Sequence, residues 1–196
     1  MKILGLLRHA KSDWGQSDKR DFDRGLNTRG RKGAQVVGDH IREHGIKWDK
    51  LVASPAERVK LTLAEGIPDL EPQWDERLYL AGTDTIMEVI REAGGDADTL
   101  LVSGHNPGLG DMLFELVAPK NENALYDEAK VKFPTAAFDV FELDIEDWAD
   151  LRDGCGKLVH FARPRDLDAD LGESDALEES ELEEAPQGEA CFALYL

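Results

Sequence analysis

The stretch Ile3-Leu4-Gly5-Leu6-Leu7-Arg8-His9-Ala10 is a short apolar run that ends on a charged pair. An uninterrupted apolar run of this length is typical of a buried strand in a parallel sheet. Such a strand would bring Arg8 and His9 to the carboxyl edge of the sheet, where ligand crevices lie. With Lys11 close behind, that edge presents an imidazole beside cations, a setting that favours an anion such as phosphate.

A second apolar run, Lys50-Leu51-Val52-Ala53, leads directly into Ser54-Pro55-Ala56-Glu57-Arg58. Ser54 suits the N-cap of a helix, the proline suits its first position, and Glu57 completes a capping box. Arg58 then falls in the first helical turn, beside free N–H groups and the positive end of the helix dipole. It is a candidate anion clamp; the alternative is an exposed arginine paired with an acidic neighbour.

A third junction joins the run Thr99-Leu100-Leu101-Val102-Ser103 to Gly104-His105-Asn106-Pro107 and a helical stretch. We expect Asn106 to cap that helix and Pro107 to begin it, which leaves His105 at the end of the strand. Each junction alone is compatible with ordinary surface residues. Because parallel strands end at one edge, the three junctions together favour a single functional site.

In this combination the residues resemble the histidine phosphatase superfamily, also called phosphoglycerate-mutase-like, and within it the small phosphohistidine phosphatase branch. The resemblance rests on Arg8-His9, on Ser54-Pro55 with Arg58, and on Gly104-His105-Asn106-Pro107. It is supported by Leu26-Asn27-Thr28-Arg29-Gly30 and by Glu76-Arg77-Leu78-Tyr79. It covers roughly residues 1–167, with Ala10 standing where much of the superfamily has glycine.

The resemblance implies that His9 is the nucleophile and is itself phosphorylated before water releases the phosphate. A neutral imidazole, with an unperturbed pKa of about 6.5, attacks phosphorus without a separate base. Arg8, Arg58 and His105 would bind the phosphate and stabilise the charge of the transition state. No metal and no cofactor is expected.

The resemblance also implies an acid in the middle of the chain that protonates an ester leaving group. Glu76 is the candidate, with the adjacent Asp75 as an alternative, and a solvated surface loop is the non-functional interpretation. A phosphohistidine substrate needs less assistance, because imidazole departs readily once it is protonated. For Lys11, phosphate binding and simple surface exposure both stay open.

Apolar runs alternate with helical stretches, which predicts an α/β fold of three layers, a mainly parallel central sheet flanked by helices. We expect helices at 28–44, after Ser54, at 85–93 and after Pro107, and late strands at 136–143 and 156–161. Residues 1–165 form the predicted histidine phosphatase domain. Only a short stretch separates Arg58 from Glu76, so we expect an open site that suits a phosphorylated protein.

Residues 166–196 form a predicted acidic tail, in which eleven acidic residues lie between Asp166 and Glu189 and no Lys or Arg follows Arg165. Such a charge block is typical of a solvated or disordered segment. One hypothesis is that its carboxylates compete with phosphate for the site. The apolar residues 191–196 are a candidate segment for docking on the core or on a partner.

The formal net charge of −18 argues against nucleic acid or an anionic membrane as partner, since both require basic surface. No apolar span reaches membrane length and no signal-peptide pattern is present, so we expect a cytoplasmic protein with reduced thiols. His40 and His44 have a spacing that can bind metal, but solvent exposure is the favoured interpretation. His160 is expected to be structural.

Three functions follow as hypotheses. The first is a phosphatase that acts on phosphohistidine in a protein. The second is a broad phosphatase for small phosphate esters, and the third is a phosphate-recognition module without catalysis. The presence of two histidines, two arginines and a candidate acid favours an enzyme, because binding alone does not require an imidazole in the position of a nucleophile.

Overall fold

The computed structural model describes residues 1–15 and 18–172, and in them six strands form one sheet. The strands are β1 (Lys2–Arg8), β2 (Lys50–Ala53), β3 (Pro72–Trp74), β4 (Thr99–Gly104), β5 (Phe138–Leu143) and β6 (Gly156–Ala162). The helices are α1 (Thr28–His44), α2 (Glu57–Gly66), α3 (Thr83–Gly94), α4 (Gly108–Leu116), α5 (Ala124–Ala129) and α6 (Pro164–Leu167). Short 3-10 helices occupy Asp21–Asp23, Glu76–Leu78, Pro119–Asn121 and Trp148–Asp150.

The sheet has the order β3-β2-β4-β1-β5-β6, in which the first four strands pair in parallel. Strand β5 pairs antiparallel with both β1 and β6, so among these six strands only β5 runs in the opposite direction. Side chains alternate along β1, so Leu4 and Leu6 pack with α3 and α4 while Leu7 packs with α1 and α2. Leu4 and Leu6 are fully buried, and each contributes about 1.5–3 kcal/mol by leaving water. The predicted three-layer α/β fold with a mainly parallel sheet is confirmed.

Helix α1 has the predicted bounds because its ends carry clear capping residues. The Asn27 side chain accepts a hydrogen bond from the Gly30 amide at 2.7 Å, and Gly45 ends the helix with a φ of +84°. Gly30 also lies against the segment that follows His9: a Cβ atom there would be 2.1 Å from the Lys11 carbonyl oxygen. The start of α1 is therefore packed directly beside the candidate nucleophile.

Two of the predicted helix caps are wrong. Helix α2 is capped by Ala56 and not by Ser54, and α4 is capped by Pro107 and not by Asn106. The reason is that both polar side chains bond elsewhere: the Ser54 hydroxyl lies 2.8 Å from the His105 ring, and the Asn106 amide donates to the Phe133 carbonyl at 2.9 Å.

The remaining elements differ from prediction mainly at their ends. Strand β5 begins at Phe138, because Ala136 has a φ of +57° and is not extended. Strand β6 extends to Ala162, and α3 is longer than predicted by two residues at its start and one at its end. Strand β3 was not predicted, since Pro72-Gln73-Trp74 is not an apolar run.

The described chain ends by packing along α1. Leu171 is buried, its carbonyl accepts a hydrogen bond from Arg29, and Lys32 pairs with Asp168 at 2.9 Å. Residues 173–196 lie outside the described part, so the domain boundary, the acidic tail and the docking of residues 191–196 stay predictions. Among the described helices, none has the length and apolar composition needed to cross a membrane.

Candidate active site

The three strand-to-helix junctions meet at one edge of the sheet. β4 lies between β1 and β2, with Arg8 opposite Gly104 and Ala53 opposite Ser103. The His9 amide donates to the Gly104 carbonyl at 3.1 Å, which continues the β1–β4 pairing into the site. The ring centroids of His9 and His105 are consequently 5.1 Å apart, although 96 positions separate the two residues in the sequence.

The His9 ring is held in one orientation by its own neighbour. Its Nδ1 atom lies 2.8 Å from the Ala10 carbonyl oxygen. Because a carbonyl only accepts hydrogen bonds, Nδ1 must carry the proton, and the lone pair of Nε2 is available for attack. Burial lowers the pKa of His9 to about 3; the Ala10 hydrogen bond opposes this effect, and the charges of His105, Arg8 and Arg58 add to it. At neutral pH the ring is therefore an uncharged base.

His105 is the second buried imidazole, and Ser54 orients it. The Nε2 atom of His105 is 2.8 Å from the Ser54 hydroxyl, and Ser54 is fully buried. The edge of the Tyr79 ring system packs against His105 with centroids 5.3 Å apart. Burial lowers the pKa of His105 to about 3, and Arg58 lowers it further. Within residues 1–15 and 18–172, Nδ1 of His105 is buried without a hydrogen-bond partner, so it remains available to a ligand.

Arg8 is held by the loop that precedes β5. One of its Nη atoms donates to the Phe133 carbonyl at 2.8 Å. The same carbonyl accepts from Asn106, so Arg8 and the segment after His105 share one anchor. Burial lowers the pKa of Arg8 to about 10, and the nearby charge of Arg58 lowers it further. The guanidinium is still cationic at neutral pH, in a setting that favours an incoming anion.

Arg58 is positioned by Asp21, a residue that the sequence analysis did not single out. The two Nη atoms of Arg58 donate to the carbonyl and to the carboxylate of Asp21, at 2.6 and 2.9 Å. The Tyr79 hydroxyl donates to the same carboxylate at 2.6 Å. No spacing motif links Asp21 to Arg58, because the two residues are 37 positions apart, with α1 and β2 between them.

Of the other predicted site residues, Glu76 is exposed at the first position of the 3-10 helix Glu76–Leu78. Its neighbour Asp75 is already paired with Arg77, at 2.8 and 3.1 Å. The Asp75 amide bonds to the Ala53 carbonyl, which ties this segment to the end of β2. Lys11 lines a small cavity of about 30 Å³ between α1 and α6, and neither imidazole belongs to the cavity wall.

The other three histidines form a cluster of their own between α1 and β6. Nε2 of His40 and Nε2 of His160 are 2.8 Å apart, and the ring centroids of His44 and His160 are 4.2 Å apart. Burial lowers the pKa of His160 to about 4, aided by the other two rings. No set of three or more His, Cys, Asp or Glu side chains in the described part of the chain is arranged to hold a metal ion.

The site has the composition needed for phosphoryl transfer. A neutral imidazole with a free Nε2 lies beside a second imidazole and two guanidinium groups. Phosphoryl transfer depends mainly on positioned donors and positive charge around the equatorial oxygens, and these groups can supply both.

Comparisons with known proteins show the family of this chain. Residues 4–79 match the family model of the histidine phosphatase superfamily, branch 1. The uncharacterised protein Rv1276c of Mycobacterium tuberculosis is 35% identical over 160 residues, which cover 81% of this chain and all of that protein. A candidate phosphohistidine phosphatase SixA from Nakamurella multipartitia has a solved structure with 31% identity, a TM-score of 0.74, and coverage of 83% of this chain and 96% of that one.

A second solved structure, a candidate SixA from Agrobacterium tumefaciens, has 25% identity and a TM-score of 0.69. It covers 83% of this chain and 98% of its own. Family membership supports phosphatase chemistry. The family model, the near full-length relatives and the two structures lead to one conclusion: the chain belongs to the histidine phosphatase superfamily, branch 1.

Proposed function

We propose that this protein is a phosphohistidine phosphatase that dephosphorylates a protein histidine through a phosphohistidine intermediate on His9. The observation that carries the proposal is the His9 tautomer. Nδ1 of His9 donates its proton in a hydrogen bond to the Ala10 carbonyl oxygen, so the nucleophilic lone pair lies on Nε2. The ring is neutral at physiological pH.

In the first step, Nε2 of His9 attacks phosphorus and the bond from phosphorus to the substrate nitrogen breaks. The electron pair of that bond returns to the substrate ring, which leaves as neutral imidazole if its other nitrogen carries a proton. In the second step water attacks the phosphoryl group on His9, and the bond to Nε2 breaks. Arg8, Arg58 and His105 bind the phosphoryl oxygens in both steps, and Lys11 contributes positive charge at the edge of the site.

For an ester substrate, we assign the proton donor to Glu76, whose exposed carboxyl group has no ion-pair partner among residues 1–15 and 18–172, unlike that of Asp75. An alkoxide requires this proton, whereas a protonated imidazole does not. The connection between α2 and the 3-10 helix at Glu76 is short, and β3 is the one regular element in it. A short connection leaves the site open, which supports a macromolecular substrate. The similarity to candidate SixA phosphohistidine phosphatases supports the same substrate class.

The test is phosphate release from a phosphohistidine-bearing protein and from 4-nitrophenyl phosphate, with the native chain, His9→Ala and His44→Ala. His44 is the matched control because its ring is exposed on α1, outside the site. The proposal predicts faster release from phosphohistidine, loss of release in His9→Ala, and unchanged release in His44→Ala. Release from the aryl ester alone would establish the broad phosphatase, and phosphate binding without release would establish the recognition module.

A further inference from the structure

Asp21 carries a negative charge that contacts Arg58, one of the cations of the candidate site. Its carboxylate bonds to Arg58 at 2.9 Å and to the Tyr79 hydroxyl at 2.6 Å, and Arg24 lies at 3.9 Å. Partial burial alone would raise the pKa of Asp21, but the hydrogen bonds from Tyr79 and Arg58, with the charges of Arg58 and Arg24, lower it below its usual value. At neutral pH the group is an anion that has no proton to give.

The position of Asp21 differs from that of the groups around His9. The side chain of Arg58 is 5% exposed, whereas that of Asp21 is 43% exposed, so the carboxylate lies on the solvent side of the guanidinium. In-line displacement places the leaving group on the side of phosphorus away from the nucleophile. His9 is buried, so a leaving group faces the solvent side of the site, and Asp21 lies on the solvent side of Arg58.

We propose that Asp21 determines leaving-group specificity: its carboxylate favours a leaving group that carries a positive charge, such as the protonated ring of phosphohistidine, over a phosphate ester. This inference rests on the proposed function and deepens it. An ordinary positioning role for Asp21, acting only through Arg58, would affect every phosphorylated substrate alike.

The two substrate classes differ in the charge that their leaving groups present to the Asp21 carboxylate. When a protonated phosphohistidine reacts, the nitrogen–phosphorus bond breaks, its electron pair neutralises the ring, and the ring proton stays on the other nitrogen. The positive charge of the ring in the ground state and early in the reaction is attracted to Asp21. An ester has no such charge, and its leaving oxygen becomes more negative as the oxygen–phosphorus bond breaks, which an adjacent carboxylate disfavours.

The experiment uses the full chain with Asp21→Asn, and with Asp23→Asn as the matched control. Asp23 lies in the same 3-10 helix, its side chain is also 43% exposed, and it pairs with the exposed Arg20. In Asp21→Asn the backbone carbonyl of residue 21 still accepts from Arg58, so one of the two hydrogen bonds is independent of the substitution. The kcat/KM values are measured for a phosphohistidine-bearing protein and for 4-nitrophenyl phosphate.

We expect kcat/KM for phosphohistidine to fall about tenfold in Asp21→Asn, because the variant loses the attraction between the partly exposed carboxylate and the charged substrate ring. The value for the aryl ester should fall much less, by only the part that Asp21 contributes to the position of Arg58, so the preference for phosphohistidine declines; Asp23→Asn should resemble the native chain. Asp21→Ser, which removes the charge with a smaller side chain, should give the same loss of preference.

An equal loss for both substrates in Asp21→Asn and in Asp21→Ser would overturn the specificity role and leave only the positioning of Arg58. That result is distinct from failure of the proposed function. The proposed function fails if the native chain hydrolyses the aryl ester but not phosphohistidine, and that result would overturn both proposals.

Discussion

The two buried imidazoles make the folded protein sensitive to acid in a way that can be calculated. Burial lowers the pKa values of His9 and His105 to about 3, against about 6.5 in an unfolded chain. Between these values the unfolded chain binds a proton at each position and the folded chain does not. Above pH 6.5 these two rings therefore do not reduce the free energy of unfolding, and below it they reduce that free energy progressively as the pH falls towards 3.

The magnitude follows from linkage. Each imidazole costs about 1.4 kcal/mol of unfolding free energy per pH unit inside this window. Between pH 7.5 and 5.5 the loss is about 1.4 kcal/mol for each ring, because protonation of the unfolded chain begins near pH 6.5. Replacing His105 by asparagine removes one ring, so the pH-dependent loss should be about 1.4 kcal/mol smaller than in the native chain.

The assay is urea denaturation followed by far-UV circular dichroism at pH 7.5 and 5.5, with the native chain, His105→Asn and His9→Asn. Asn27→Ala is the control, since it weakens the N-cap of α1 without changing a titratable group. Its stability should fall equally at both pH values. If His105→Asn retained the full pH dependence of the native chain, the buried neutral state of this ring would be refuted.

Three further predictions concern single side chains. Asn27→Ala should lower the unfolding free energy by about 1 kcal/mol, measured by the same denaturation, because the Gly30 amide loses its acceptor. Ser54→Ala should cost about 1–3 kcal/mol, because Nε2 of the buried His105 loses its partner; an unchanged denaturation midpoint would contradict the 2.8 Å contact. Glu76→Gln should slow hydrolysis of an alkyl phosphate such as glycerol 2-phosphate at least tenfold in steady-state assays and phosphohistidine hydrolysis less than twofold, and equal slowing would disprove its assignment as ester acid.

The sequence predicts the parts of this fold that depend on local pattern. The apolar runs of β1, β2 and β4 identify buried parallel strands, and parallel strands bring their carboxyl ends to one edge. Asn27 and Gly45 mark the ends of α1, because capping is a property of a few neighbouring residues. The proximity of His9 to His105 could be expected because each residue follows one of these parallel strands.

The contacts that the sequence did not predict all join distant segments. Ser54 and Asn106 have the residue types of helix caps, and only the folded chain reveals that their side chains bond to His105 and Phe133 instead. Asp21 has no local signal, since its partner Arg58 lies on another element. The contact between His40 and His160 likewise depends on the packing of α1 against β6.

The central claim is that Nε2 of His9 becomes phosphorylated during turnover. The most direct measurement is rapid quenching of the native chain with a phosphohistidine-bearing protein, followed by peptide mass spectrometry under alkaline conditions that preserve phosphohistidine. The account predicts a phosphoryl group on His9 that appears and decays with phosphate release. Full phosphate release with no phosphoryl group on His9, or with the group on His105, would contradict it.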